Sequence, residues 1–166
     1  MSLAQVIVGL VAVQRFFEML YAARNTRALL ARGAVEAGRG HYPLIIALHA
    51  AWLAAIFLAL GPRTTINWFF LGAFLALQAG RVWTIASLGP YWTTRIITIP
   101  GVPLTRRGPY RYLRHPNYLI VAGEIAVLPL VFGLVWVAII FSLLNGAVLA
   151  WRITIENAAL KERVEN

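Results

Sequence analysis

Long apolar runs separated by short basic segments dominate the pattern of hydrophobic and polar positions along the chain. Residues 3–23, 42–60 and 66–88 form three such runs, each close to the roughly 20 residues that one helical membrane crossing needs. The pattern therefore predicts three membrane-spanning helices in the first half of the chain.

A fourth apolar run, residues 118–151, is too long for one helix and short for two full crossings. Pro129 and Gly133 offer a break within it, because proline and glycine interrupt helices. We therefore expect a tight hairpin of a fourth and a fifth span that turns near Gly133, which makes five spans in all.

The composition agrees with a membrane protein. Of the 166 residues, 60% are hydrophobic and only 13% are charged, whereas soluble domains carry about 25% charged residues. We expect an all-α integral membrane protein with one domain, residues 1–166, by length. The first apolar segment is too long for a signal peptide and continues without a cleavage site. Cysteine is absent, which excludes disulfides and thiol chemistry.

Basic residues predict the orientation of the spans. The net charge is +9, but the arginines are dispersed between apolar runs, so nucleic acid is not an expected partner. Four arginines lie in the loop 24–41, five in the loop 89–117, and three basic residues follow the last span, whereas only Arg63 lies on the other side. The positive-inside bias places both loops and the C-terminal helix in the cytoplasm and the N-terminus outside.

The loop between the third and fourth spans contains a β-branched stretch, residues 93–99, which ends at the turn signal Pro100-Gly101. The stretch predicts a short extended or hairpin element at the cytoplasmic interface rather than a sheet.

Charged residues within the spans need partners. Arg15 and Glu18 are three residues apart and share a helix face, which favours an ion pair at least as much as a ligand contact. Arg81 has no acid within four residues, so it needs a partner from another helix, a ligand anion, or a path to the interface. Glu124 is expected to meet Arg81, Arg15 or a cationic ligand, because an unpaired buried carboxylate is costly.

The three histidines show no metal-ligand spacing. They lie at positions 41, 49 and 115 on separate elements of a chain without cysteine. We therefore predict no metal site, and we expect His49 to be hydrogen-bonded within the bundle.

The candidate site is the motif Arg114-His115-Pro116-Asn117-Tyr118, which follows a basic segment and leads directly into an apolar run. A cationic, aromatic patch at this position can hold an anionic or nucleotide-like ligand, although arginine and tyrosine also serve as simple membrane anchors. After the last span, Arg152 and Glu156 stand four residues apart on one helix face, as a ligand site or a solvated ion pair.

The stretch from Gly108-Pro109-Tyr110-Arg111 through the Arg114–Tyr118 motif and the apolar hairpin to Arg152 and Glu156-Asn157 resembles the isoprenylcysteine carboxyl methyltransferase family. The resemblance implies a membrane methyltransferase that uses S-adenosylmethionine to methylate an oxygen of a lipidic acceptor, with membrane lipids around it. It implies a cofactor pocket formed by His115, Pro116, Tyr118, Arg152, Glu156 and Asn157. Arg114 and Arg111 are the candidates for contacting the substrate oxygen as catalytic residues.

One departure from the family pattern bears on the acceptor. The pattern has a second glutamate where this chain has Asn157. Bacterial relatives with Glu-Asn resemble enzymes that methylate hydroxyls of long-chain alkylpyrones or alkylresorcinols, so these compete with an isoprenylcysteine carboxylate as acceptor. The same resemblance places the protein in a bacterial inner membrane.

Two other functions remain open at this point. Membrane sterol and steroid reductases carry a similar Arg-His-Pro-Asn-Tyr element and use NADPH. A non-catalytic module could instead bind anionic lipid through Arg106, Arg107 and Arg111.

Overall fold

A computed structural model describes residues 2–99 and 106–165. The described residues form five helices and two short strands, joined by loops that contain single turns of 3₁₀ helix. The helices are α1 (Leu3–Leu30), α2 (Tyr42–Ala59), α3 (Trp68–Leu88), α4 (Pro116–Val131) and α5 (Val135–Glu165). The strands are β1 (Val35–Ala37) and β2 (Ile96–Thr98).

The helices have the lengths and compositions of a membrane bundle. Within the described residues, α1, α2, α3 and α5 are each long and apolar enough to cross a membrane. Helix α4 is also apolar but has only 16 residues, or about 24 Å at 1.5 Å per residue. The expectation of an all-α membrane protein is confirmed, and the count of five crossings stays a prediction because α4 is shorter than the hydrocarbon layer.

A tight turn joins α4 to α5, as the sequence predicts. Gly133 adopts a positive φ of 72°, which closes the turn between Phe132 and Leu134. The backbone N–H of Leu134 donates to Pro129 O at 3.0 Å. Pro129 itself lies inside the last turn of α4, so the helix ends at the glycine turn and not at the proline.

The stretch 93–99 contains an extended element, which is confirmed, but the expectation that it forms no sheet is wrong. Strand β2 pairs antiparallel with β1, with Val35 opposite Thr98 and Ala37 opposite Ile96. The partner strand comes from the loop between α1 and α2, about 60 residues earlier in the chain. A three-residue strand has no sequence period long enough to identify a partner at that distance.

Close packing of α3 against α4 is made possible by glycine. A Cβ atom at Gly123 would lie 3.0 Å from Leu77 Cδ2, and one at Gly80 would lie 3.5 Å from Ile120 Cδ1. Small residues at such contacts let membrane helices approach closely. Gly123 therefore lets α4 pack closely against Leu77 of α3.

Four charged side chains form a compact network inside this bundle. Arg15 Nη2 lies 2.7 Å from Glu124 Oε2 and Arg15 Nη1 lies 3.2 Å from Glu18 Oε2. Arg81 Nη2 lies 2.6 Å from Glu18 Oε2 and Arg81 Nη1 lies 3.0 Å from Glu124 Oε2. The predicted Arg15–Glu18 pair and the partners expected for Glu124 are confirmed. Of the three alternatives for Arg81, the structure shows partners from other helices, Glu18 of α1 and Glu124 of α4. The two positive and two negative charges of the network balance.

His49 is hydrogen-bonded within the bundle, as expected. Its Nδ1 lies 2.9 Å from the carbonyl oxygen of Ile45, one turn earlier in α2. Its ring also packs edge-on against buried Trp52. Over residues 2–99 and 106–165, no group of three or more His, Asp or Glu side chains is arranged to hold a metal ion.

Candidate functional site

The α4–α5 hairpin brings the two predicted motifs together. Tyr118 precedes the turn residue Gly133 by 15 residues, and Arg152 follows it by 19. In two antiparallel helices of equal rise, these positions lie within about 6 Å, or one helical turn, of the same height. Pro116 occupies the first turn of α4, where its fixed φ and missing N–H are tolerated, so the helix starts just after His115.

Polar and aromatic contacts join the start of α4 to α5. The Tyr118 hydroxyl donates a hydrogen bond to Glu156 Oε2 and accepts one from Arg152 Nε at 2.7 Å. The His115 ring stacks on the Tyr118 ring, with centroids 5.2 Å apart and an angle of 12° between planes. His115 Nδ1 lies 3.6 Å from Glu156 Oε2. Tyr118 is thus the centre of the cluster, held from both sides.

The loop between α3 and α4 also contacts this cluster. Arg152 Nη2 donates to the backbone carbonyl of Thr94 at 2.8 Å. The Thr94 hydroxyl lies 3.0 Å from the Tyr42 hydroxyl, and the Arg95 guanidinium lies 4.5 Å from the centre of the Tyr42 ring. Arg95 also pairs with Glu36 of β1 at 2.9 Å. The small sheet therefore positions the carbonyl that orients Arg152.

A cavity of about 900 Å³ opens between these elements. Binding sites for small molecules are commonly about 300–1,000 Å³. Its walls come from the end of α3, the 89–99 and 106–115 segments, the start of α4 and the end of α5. Several described lining residues are cationic: Arg95, Arg106, Arg107, Arg114 and Arg152.

Negative charge in the lining comes from Glu156. Burial raises the pKa of the Tyr110 hydroxyl, and the charge of Glu156 raises that pKa further. Tyr110 therefore stays protonated at neutral pH and can donate a hydrogen bond into the cavity. With five arginines and one glutamate among its described residues, the lining is electropositive and suits a ligand with acidic oxygens.

The predicted site residues divide by their relation to the cavity. Those in its lining are Arg114, His115, Tyr118, Arg152 and Glu156. Those placed beside it are Arg111, Pro116 and Asn157. Pro116 is buried and shapes the start of α4, Asn157 is half-buried next to Glu156, and Arg111 is exposed at the end of the Gly108–Arg111 turn.

Four buried polar atoms in or beside the cavity lack a hydrogen-bond partner among the described residues. Trp92 Nε1, His115 Nε2 and Asn117 Oδ1 belong to lining residues, and Asn157 Oδ1 lies beside the cavity. Leaving such a group unpaired costs about 1–3 kcal/mol. A polar ligand that supplies both donors and acceptors would satisfy them, so the residues present fit a nucleoside-like or amino-acid-like ligand.

Sequence reasoning included Asn117 in the candidate motif without giving it a role, and it missed Asn25. Asn117 lines the cavity between two residues that were predicted. Asn25 is buried near the end of α1, and its Nδ2 donates to Gly89 O at 3.1 Å and to Trp92 O at 2.9 Å. It thereby holds the turn that forms one cavity wall. An asparagine in the interior of a helix is unfavourable and was the available signal.

Comparisons with known proteins give a family and two relatives. The model of the isoprenylcysteine carboxyl methyltransferase (ICMT) family matches residues 70–162, which include most of α3, all of α4 and most of α5. An uncharacterized protein of Bacillus subtilis, YpbQ, is 37% identical over 160 residues, which cover 94% of this chain and 95% of that protein.

An uncharacterized protein of Haemophilus influenzae is 28% identical over 151 residues, which cover 88% of each chain. No solved structure matches the chain significantly. The region that the ICMT family model matches contains the cavity-lining residues of the two motifs.

Proposed function

Because the chain belongs to the isoprenylcysteine carboxyl methyltransferase family and is a membrane methyltransferase, we propose that it methylates an oxygen atom of a lipidic acceptor with S-adenosylmethionine. The observation that carries this proposal is the joining of His115, Tyr118, Arg152 and Glu156 at one cavity by the α4–α5 hairpin. The lining of the same cavity includes the unpaired polar atoms His115 Nε2 and Asn117 Oδ1.

The residues of the cavity match the polar groups of S-adenosylmethionine. Glu156 can accept hydrogen bonds from ribose hydroxyls or from the amino group, and Arg152 offers a cation for the carboxylate. The unpaired His115 Nε2 and the side-chain oxygen of Asn157 add further hydrogen-bonding capacity. When bound, the cofactor supplies an electrophilic methyl group on a sulfonium. Pro116 and Tyr118 contribute shape, through the helix start and the stacked rings.

The protein's main contribution to such a transfer is alignment. The reaction joins an oxyanion to a cationic donor, so charge disappears in the transition state and a dry site does not disfavour it. Holding the two reactants in line can contribute about 7–11 kcal/mol of the barrier. The stacked His115–Tyr118 pair and the Tyr118–Arg152–Glu156 hydrogen bonds provide a rigid surface for that alignment.

The electropositive lining favours an acceptor with an acidic oxygen. Arg114 is our candidate for orienting that oxygen, since it lines the cavity, and exposed Arg111 is the second candidate. A carboxylate acceptor is already ionised at neutral pH. A phenolic hydroxyl, with an ordinary pKa of about 10, needs its proton removed or its anion stabilised. His115 and the nearby arginines could serve that purpose.

The family resemblance suggests two acceptor classes that suit this chemistry: an isoprenylcysteine carboxylate, and the hydroxyl of a long-chain alkylpyrone or alkylresorcinol. Asn157 replaces a second carboxylate beside Glu156, and we favour the hydroxyl acceptor for that reason. Methyl transfer from purified protein to a farnesylated cysteine analogue, an alkylresorcinol and an alkylpyrone tests the preference. A preference for the farnesylated carboxylate would reverse this order.

Calorimetric titration of the purified protein tests the cofactor. We expect S-adenosylmethionine to bind and NADPH not to bind. NADPH binding without S-adenosylmethionine binding would identify a reductase instead. Binding of neither, together with binding of anionic vesicles, would identify a lipid-binding module.

Substitutions test the pocket assignment. We expect His115→Ala and Glu156→Ala each to weaken S-adenosylmethionine binding about tenfold or more, because a hydrogen bond to a charged group contributes about 1.5–3 kcal/mol. The matched control is His49→Ala, whose side chain lies outside the cavity lining. If the site variants bind like the parent but lose activity, these residues act on the acceptor rather than on the cofactor.

A further inference from the structure

An open groove of about 500 Å³ lies between α1 and α3. Most of its length is apolar, with walls formed by Ala79, Val82, Ile85 and Ala86 of α3 and by Tyr21 of α1. Ala86 also lines the cavity of the candidate site. The groove therefore adjoins that cavity at Ala86 and extends along α1 and α3.

The far end of the groove is polar. Gln14 and Glu18 of α1 and Gln78 of α3 line it there. Gln78 precedes Ala86 by eight residues of helix, which correspond to about 12 Å along the axis. These polar groups thus lie within helices that are long and apolar enough to cross the membrane. Ionisable groups at such positions are functional candidates by default.

The hydrogen bonds of Gln14 and Gln78 show which polar atom of Gln14 remains available to a ligand. Gln78 Nε2 donates to Glu124 Oε1 at 2.8 Å, and an ionised carboxylate can only accept. Gln78 Oε1 is therefore an acceptor, and it accepts a hydrogen bond from Gln14 Nε2 at 2.7 Å. Gln14 Nε2 also donates to Glu18 Oε1 at 3.0 Å.

Both amide hydrogens of Gln14 are thereby used. Among the described residues, its Oε1 has no hydrogen-bond partner. An acceptor at the end of an apolar groove favours an apolar chain that carries a hydrogen-bond donor. A neutral hydroxyl is preferred to an ammonium, because removing a charged group from water costs far more.

We infer that the groove holds the alkyl chain of the methyl acceptor and that Gln14 accepts a hydrogen bond from a hydroxyl on that chain, about 12 Å from the cavity. The inference rests on the proposed function for the identity of the occupant as the acceptor. It adds that the lipid carries a hydroxyl partway along its chain. The residues around the cavity do not define that feature.

The absence of cysteine allows a binding test that does not depend on activity. Val82→Cys introduces a single thiol into the groove wall, at a side chain that is 62% exposed. The control is Leu75→Cys, also on α3, 58% exposed and seven residues earlier, outside the groove lining. The probes are octadecanoate and its derivative with a hydroxyl on the twelfth carbon, and the measurement is protection of the thiol from a maleimide.

We expect the hydroxylated acid to protect position 82 at about three- to tenfold lower concentration than octadecanoate, the ratio for one net hydrogen bond. Neither acid should protect position 75. Adding Gln14→Met should abolish the difference between the acids. Even if the Gln14→Met variant folds poorly, comparing the two acids on the Val82→Cys protein remains decisive, because that protein retains Gln14. Equal protection by both acids, or equal protection of both positions, would overturn the inference.

Parallel measurements separate this inference from the proposed function. Protection of position 82 in a protein that neither binds S-adenosylmethionine nor transfers methyl groups would support the groove as a lipid site and refute the methyl acceptor as its occupant. Methyl transfer to long-chain acceptors without any protection of position 82 would retain the proposed function and overturn the groove.

Discussion

Glu124 provides one of the two negative charges of the buried network. Replacing it is the substitution that we expect to lower the stability of the bundle most. Its side chain is 1% exposed, and Oε2 contacts both Arg15 and Arg81. Glu124→Gln keeps the size of the side chain but removes one of two negative charges. Two guanidinium groups then share Glu18 alone, and one positive charge remains uncompensated inside the bundle.

The expected destabilisation is large. Breaking a buried ion pair by removing one partner costs about 3–5 kcal/mol. For a chain of this length, 1 kcal/mol shifts the melting temperature by about 2–4 °C, so we expect Glu124→Gln to lower it by about 6–20 °C. The measurement is thermal unfolding of the purified protein in one detergent at fixed lipid content.

Glu36→Gln is the matched control, because it makes the same chemical change at an interfacial ion pair. The Glu36 side chain is itself only 5% exposed, but its partners Arg95 and Arg39 have side chains that are 41% and 78% exposed, so water can hydrate both guanidinium groups after the carboxylate is lost. Such pairs contribute about 0–1 kcal/mol, which corresponds to a shift of at most about 4 °C.

A second variant tests charge balance directly. Arg15→Met in the Glu124→Gln chain removes the surplus positive charge and leaves the Arg81–Glu18 pair, which joins α3 to α1. We expect this double variant to melt at a higher temperature than Glu124→Gln alone. The reasoning would be refuted if Glu124→Gln melted within about 4 °C of the parent, or if the two substitutions together destabilised the protein by the sum of their separate effects.

Two further predictions concern the cavity wall and the orientation in the membrane. Asn25→Leu removes the donor to Gly89 O and Trp92 O, and should lower stability by about 1–3 kcal/mol and raise the acceptor KM; an unchanged KM and melting temperature would show that the turn holds without Asn25. Single cysteines introduced at Arg107 and Arg63 should be labelled from the cytoplasmic and the external side, respectively. Labelling of position 63 only from the cytoplasm would reverse the orientation.

Much of the fold could be predicted from local sequence. The apolar runs indicate the helices because each run approaches the length of a membrane crossing, and Gly133 marks the hairpin turn because it adopts a positive φ. The length of α4 was harder to predict, since a helix of 16 residues and a full span have the same composition.

The candidate site was predictable where its residues are close in sequence or are separated only by the hairpin. The spacing of Arg152 and Glu156 places them on one face, and a hairpin of two helices returns that face to Tyr118. The positions of Asn25 and Thr94 were not predictable, because each acts through the folding of a distant loop onto the motif.

The sequence by itself determined the membrane class, the helices, the hairpin and the need of Arg81 and Glu124 for partners. These follow from composition, helical spacing and the cost of unpaired charge in hydrocarbon, all of which are local properties. The tertiary structure alone decided that Arg81 joins Glu18 and Glu124, that β1 pairs with β2, and that the groove lined by Gln14 adjoins the cavity at Ala86. Those outcomes depend on which helices and loops become neighbours, and an arginine can pair with any acid that packing brings within reach.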